Sequence, residues 1–172
     1  LLKDEGQPLY FPGGEGSLME AVDADLLARA IGWGAEAANA RNQAFNVTNG
    51  DIFVMKNVWP AIADAMGMQA GPPRPMSLGA TMPGRSADWD RLRAKHKLVS
   101  PDLEQFVGLS FQYADLCLSY DAERGEASAF SSPAIVSTIK IRQAGFHDFM
   151  DTEEMFRKNF REFQEKRLLP AA

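Results

Sequence analysis

At 172 residues, 45% hydrophobic and 24% charged, the chain is long enough to bury a core of its own and is expected to count as one domain. Its net charge of -5 excludes the basic footprint of a nucleic-acid binder. Its apolar runs are too short and too broken by charge to span a bilayer. The opening LLKDEGQPLYFPGG lacks the basic-then-apolar pattern of a secretory leader, and the single cysteine, Cys117, forbids an internal disulfide and suits a reducing compartment. A cytoplasmic location is the expectation.

Leu1 to Gly6 reads as the last turn of a helix closed by a glycine, so the helix is expected to start before residue 1 and the chain to be a piece of something longer. Pro8–Phe11 reads as a short strand, Pro12–Ser17 as a loop, and Leu18–Ala21 as a second short strand. From Asp23 to about Ala38, Leu26, Leu27, Ala30, Ile31 and Trp33 follow helical spacing, with Asp23 or Asp25 placed to cap the first turn. Gln43–Val47 reads as a strand left through the turn residues Thr48, Asn49, Gly50 and Asp51. Asn46-Val47-Thr48 matches a glycosylation sequon, but in a predicted strand of a chain without an export signal it is a coincidence of spelling.

A helix over Lys56–Met66 follows, presenting Val58, Trp59, Ile62, Ala63 and Met66 on one side and ending at Gly67. Strand and helix thus alternate as in an α/β sheet. Gln69–Gly84, with Pro72, Pro73, Pro75 and Pro83, breaks the rhythm and marks the boundary to a mainly helical part. There the expected helices are Arg85–His96, Pro101–Tyr120, Pro133–Ala144 and Thr152–Arg167. Ser132-Pro133 supplies an N-cap and first-turn proline, with Gly145 as the stop, and Asp151 with Glu154 resembles a capping box. Lys166 and Arg167 complement the final dipole.

Spacing alone offers no chemistry. A tyrosine that protonates an enolate needs a lysine about one helical turn away, and none of the three tyrosines, Tyr10, Tyr113 and Tyr120, has one. Gly14-Glu15-Gly16 places Met19 where the third glycine of a dinucleotide loop should be, so these glycines are assigned to a turn. His96, Cys117 and His147 are too scattered for a metal site. Asp23 and Asp25, at a helix start, are expected to cap it instead of serving as an acid and base pair.

Read together, Lys3–Gly13 (KDEGQPLYFPG) and Val22–Met68 (VDADLLARAIGWGAEAANARNQAFNVTNGDIFVMKNVWPAIADAMGM) resemble the C-terminal half of an extended short-chain dehydrogenase/reductase. More narrowly they are similar to the progesterone 5-beta-reductase and iridoid synthase-like enone reductases. The residues that carry the likeness are Asp23-Ala24-Asp25-Leu26, Trp33 and the run Asn42 to Asp51 (NQAFNVTNGD). Val107–Asp115 (VGLSFQYAD) resembles the family's aromatic helix over the substrate, and Ser137–Phe146 (STIKIRQAGF) its late Ser-x-x-Lys and Gly-Phe segment. The Gly-Phe segment is shared with many sugar-nucleotide epimerases and dehydratases; the TNGD run is the specific part.

The resemblance implies an α/β fold, the C-terminal portion of a Rossmann-like domain, with few strands and a mainly helical substrate-binding part. Residues 1–68 would belong to the Rossmann-like domain and 69–172 to the helical lid. It implies an NADPH- or NADH-dependent oxidoreductase that reduces the C=C bond of an enone. The dinucleotide loop and the catalytic tyrosine and lysine would lie in the N-terminal half, so no catalytic residue is assigned in this chain. Phe111 and Tyr113 match the substrate-covering aromatics and Met19 lies near the turn facing the pocket, which makes these three the candidate substrate-binding residues. Phe106, Phe130 and Trp89 are left to the core or the underside of the lid.

The partner expected is a small hydrophobic carbonyl compound, with a homodimer allowed and with nucleic acid and membrane excluded. Two alternatives remain: a sugar-nucleotide epimerase or dehydratase, and a non-catalytic dinucleotide-binding redox sensor. The apolar character of Phe111, Tyr113, Leu116 and Leu118 argues against the first, which needs polar and basic groups for a pyrophosphate.

Overall fold

The computed structural model describes residues 1–118, 120–121, 126–127, 133 and 135–172. Among them the chain is α/β and mostly helical. The first turn closes as expected: Gly6 takes a φ of +68°, the Gln7 amide reaches the Leu2 carbonyl at 2.9 Å and the Gly6 amide the Lys3 carbonyl at 3.0 Å. Together these form the paired bonds that end a helix through a left-handed residue.

Strand β1 (Leu9–Phe11) follows, and its partner is not a nearby segment but β2 (Ala70–Pro73), which runs parallel to it. Gln69–Gly84 therefore holds more than the boundary expected of it, with helix α3 (Leu78–Thr81) and a 3₁₀ turn (Met82–Arg85) after the strand. Two prolines are tolerated in β2 because the pair has only edges and the bonds from Leu9 N to Gln69 O and from Arg74 N to Phe11 O flank them.

Helix α1 (Ala24–Glu36) starts where sequence places it, with the Asp23 carboxylate accepting from the amides of Asp25 and Leu26 at 3.0 and 3.1 Å. Its Leu26 and Ala30 bury against Ile141 and Phe146, flanked by Trp33, Phe45, Val47 and Met150. The rings of Phe45 and Phe146 both lie within 5.6 Å of Trp33. Helix α2 (Met55–Ala65) buries Val58, Ala61, Ile62 and Ala63, ends at Gly67, and is tied to β1 by the Trp59 indole, which donates to the Leu9 carbonyl at 3.0 Å.

Two expected strands are corrected. Leu18–Ala21 contributes only one antiparallel bridge, Met19 with Phe53. Gln43–Val47 forms no ladder among the described residues: Phe45 and Val47 alternate inward as in a strand, but the Ala44 carbonyl accepts from the Lys140 ammonium at 3.0 Å and no described strand pairs with the segment.

In the later part, α4 (Ser86–His96) matches expectation, and its Trp89 and Leu92 form a second core with Leu103, Phe106 and Phe111, Trp89 and Phe106 stacking at 5.4 Å. The single helix expected over Pro101–Tyr120 is two, α5 (Leu103–Val107) and α6 (Ser110–Cys117). The break is Gly108, whose φ of +52° and ψ of -128° lie outside the helical region and suit only glycine well. A short antiparallel pair, β3 (Tyr120–Asp121) with β4 (Glu126–Ala127), follows.

The expected Pro133–Ala144 helix shrinks to α7 (Ile139–Gln143). The Ser132 cap, Ala134 and Phe130 lie outside the described residues. Residues 135–138 are not helical because their backbone is engaged elsewhere: the Val136 backbone amide donates to the Glu20 carboxylate at 2.7 Å and the Ser137 carbonyl accepts from the Asn46 side-chain amide at 3.1 Å. Helix α8 (Thr152–Glu165) packs along α2. Asp151 caps it by accepting from the Glu154 amide at 2.9 Å, but the Glu154 side chain pairs with Arg157, so only half of the expected capping box forms.

Candidate functional site

Helix α6 has an inverted face. Asp115 is 5% exposed and takes three donors from the start of α3: the Ser77 hydroxyl at 2.7 Å, the Leu78 amide at 2.6 Å and the Gly79 amide at 3.1 Å. Ser77 is itself the cap of α3, accepting from the Ala80 amide at 2.8 Å. On the other side of the helix, Leu109, Tyr113 and Leu116 are 80, 67 and 64% exposed. Their spacing of four and three puts them on one stripe. A carboxylate inside with aliphatic and aromatic groups outside reverses the usual solvation preference, and exposed apolar patches of this kind mark interaction or ligand surfaces.

The two aromatic candidates part company here. Phe111 points inward, half-buried against the Trp89 cluster, while Tyr113 lies on the outer stripe. The Cys117 thiol, one turn from Tyr113, is pushed up by burial, with a hydrogen bond from Tyr113 opposing the shift. Met19 belongs to another region, its backbone exchanging bonds of 2.8 and 3.0 Å with Phe53. Its neighbour Leu18 lines an open cleft of about 350 Å³ with Asp51, Ile52, Val54, Asn57 and Thr152 among its walls.

Gly13–Gly16 does not fit a dinucleotide. The Gly14 amide is taken by the Leu118 carbonyl at 2.9 Å, a Cβ on Gly13 would stand 2.1 Å from that same oxygen, and the next helix starts only at Ala24. The loop is built for close contact with the end of α6, and no phosphate-facing helix terminus follows it. Among the described residues no three His, Cys, Asp or Glu side chains converge to hold a metal ion, and no helix is long and apolar enough to cross a membrane.

Behind the cleft lies a buried polar relay. Asn49, fully buried, accepts from the Asp23 amide at 2.6 Å and donates to the Thr152 hydroxyl at 3.0 Å. Thr152 donates onward to Asp51 at 2.7 Å, and Asp51 also accepts the Thr152 amide at 3.0 Å, adding a second cap to α8. Lys158, two turns along α8, closes the circuit on Asp23 at 2.6 Å and Asp25 at 2.8 Å. Burial alone raises the Asp23 carboxyl, but the Lys158 bond and the Leu26 and Asp25 amides outweigh it and hold the group below its ordinary value. Asp23 and Asp25 in turn raise Lys158.

Asp23 thus caps the helix start, as its position suggests, whereas the Asp25 side chain binds Lys158 and caps nothing. Asn49 does more than turn the chain, and neither its partner Thr152 nor Lys158, the partner of Asp23, is legible in the sequence, because more than a hundred residues separate each pair. Asp115 carried one signal in sequence: a lone acid inside the apolar run from Phe111 to Leu118 must be either solvated or fully partnered.

No protein-family model matches the chain. It is 31% identical to an (S)-8-oxocitronellyl enol synthase of Antirrhinum majus over 99% of its own length and 42% of that protein's. It is 28% identical to the enzyme of that name from Catharanthus roseus, again over 99% of this chain and 42% of the relative. It is 32% identical to a 3-oxo-Delta(4,5)-steroid 5-beta-reductase of Arabidopsis thaliana over 91% of this chain and 38% of that one. The chain spans about two fifths of the length of the curated relatives it matches.

Proposed function

The chain belongs to the family that holds the (S)-8-oxocitronellyl enol synthases and the 3-oxo-Delta(4,5)-steroid 5-beta-reductase, and from that premise we propose that it forms the substrate-side part of an NAD(P)H-dependent reductase of enone C=C bonds. Residues 1–68 then complete a Rossmann-like domain of the extended short-chain dehydrogenase kind, and 69–172 form its helical lid. The reduced nicotinamide supplies the hydride. Because Gly13–Gly16 does not fit it, the dinucleotide is assigned, with the catalytic tyrosine and lysine, to polypeptide outside these residues.

The observation that carries the proposal is an unfinished edge beside an apolar flank. The extended residues 44–48 form no ladder among the described residues, and Leu18, Val22, Leu27, Ile31 and Ile52 stand exposed on the paired segments and helix that surround them. Backbone outside any ladder and exposed aliphatic side chains are both what a larger sheet and its covering helices would consume. The inverted stripe of α6 supports a small hydrophobic carbonyl compound as the substrate, and a reducing, cytoplasmic setting agrees with the lone Cys117.

The test is reduction of simple enones by the full-length protein with NADPH or NADH, followed by nicotinamide absorbance. Turnover of a conjugated enone, with its saturated ketone as product, is the expected result. Tight dinucleotide binding with no turnover would replace the proposal with the redox-sensor alternative, and turnover of a sugar nucleotide would replace it with an epimerase or dehydratase.

A further inference from the structure

Asp115 is an expensive way to fill a buried position. A leucine would pack there without losing water, whereas a carboxylate repays its desolvation only through well-placed donors. It has three, all from the first turn of α3, and one of them, the Ser77 hydroxyl, is also the cap of that helix. The contact is close as well as polar: a Cβ on Gly79 would stand 3.1 Å from the Asp115 carboxylate and 3.3 Å from the Gln112 side chain, so little room exists for α6 to turn. Hydrogen bonds fix direction where apolar packing permits sliding. The direction fixed is the one that turns Leu109, Tyr113 and Leu116 outward.

We propose that Asp115 is a positioning residue: by locking α6 to the capped start of α3 it sets the angle at which the Leu109–Tyr113–Leu116 stripe meets the bulky apolar end of the substrate, without touching the substrate itself. This rests on the substrate-side reading above and adds to it a specificity determinant. A reactive enone group with little bulk beyond it is insensitive to the lock, and a large fused-ring enone depends on it.

The experiment uses the full-length protein with Asp115→Asn, which keeps the shape but turns a donor toward the α3 amides, alongside Ser77→Ala and Ser77→Thr. Three readouts are taken: amide hydrogen exchange at Leu78 and Gly79, the dissociation constant of a 3-oxo-Δ4 steroid by calorimetry, and kcat and KM for that steroid and for cyclohexenone. Asp115→Asn is expected to speed exchange at both amides and to raise the steroid dissociation constant and KM about five- to tenfold, as loss of one or two charge-assisted bonds implies. Cyclohexenone KM and kcat stay within about twofold. Ser77→Ala gives a smaller shift in the same direction and Ser77→Thr, which keeps the hydroxyl, restores it. Should Asp115→Asn fail to fold, the Ser77 pair carries the same comparison.

Unchanged exchange at Leu78 and Gly79 would overturn the lock. Faster exchange with equal effects on both enones, or on neither, would overturn its role in specificity, as would absence of steroid binding to the unaltered protein. A protein that reduces no enone, yet binds the steroid more weakly once Asp115 is replaced, would sink the proposed reductase activity and leave the lock standing.

Discussion

The carboxamide of Asn49 donates to the hydroxyl of Thr152 across 3.0 Å in a place where neither residue sees solvent. With its oxygen on the Asp23 amide at 2.6 Å, one side chain joins the starts of the first and last long helices. A buried amide so placed is fully used: every atom that leaves strands a partner.

Asn49→Ala is therefore expected to cost about 3 kcal/mol, the sum of an orphaned Asp23 amide, a weakened Thr152 hydroxyl and a small cavity. Asn49→Asp keeps the acceptor but removes the donor and buries a charge near Asp51, so it should cost at least as much. Urea denaturation read by circular dichroism measures both, and a loss below about 0.5 kcal/mol for Asn49→Ala would contradict the relay, since changes that small are those of ordinary surface sites.

Acid should unfold the protein through Asp23. Its carboxyl is held below the ordinary value in the folded state, so the folded chain stays ionised at a pH where the unfolded chain takes up a proton. The stabilisation is present above the usual carboxylate range and is lost as pH falls below about 4. Lys158→Met removes the ion-pair partner and should flatten this acid limb of a plot of urea midpoint against pH. An unchanged slope would show that Lys158 does not govern Asp23.

How much of this was readable in one dimension depends on how local each instruction is. The Asp23 cap and the stops at Gly6, Gly67 and Gly145 are written within four or five residues of where they act, and all are found where the residues place them. The start of α7 departs from the local signal because Glu20 and Asn46 claim the backbone of Val136 and Ser137 from a distance. Likewise AFNV carries the alternation of a strand, but alternation reports which side is buried and not whether a neighbour is present. The sequence groups Phe111 and Tyr113, with Leu116 and Leu118, on one apolar lid face, but the structure puts Phe111 and Tyr113 on different sides of α6. What turns Phe111 inward and Tyr113 outward is Asp115, whose partners lie more than thirty residues upstream.

Gly108→Ala should destabilise the protein by about 1–3 kcal/mol, the cost of holding an alanine in so sparsely populated a backbone conformation. Among the described residues, chain neighbours aside, no atom stands within 4 Å of the position a Cβ would take, so the effect is one of torsion and not of collision. The melting temperature should fall, while near-ultraviolet circular dichroism of the Trp89–Phe106 stack stays native below the transition. A melting temperature equal to that of the unaltered protein would show that α5 and α6 can be joined another way.

Ile31, 66% exposed on α1, discriminates an unfinished surface from an ordinary one. In the 172-residue chain alone, Ile31→Asp should change stability by less than about 0.5 kcal/mol, as exposed sites do. In the full-length protein it should cost about 2 kcal/mol or more, because there a buried aliphatic group would be replaced by a charge. Equal, small effects in both would mean that nothing covers this side of the helix.

Pro72 and Pro73 in β2 carry a consequence for how the protein behaves at high concentration. Lacking amide hydrogens, they leave that border of the two-stranded pair unable to offer a regular row of donors, so a neighbouring molecule finds no template there for fibrillar growth. The edge of the pair that β2 presents is thereby guarded against self-propagating association.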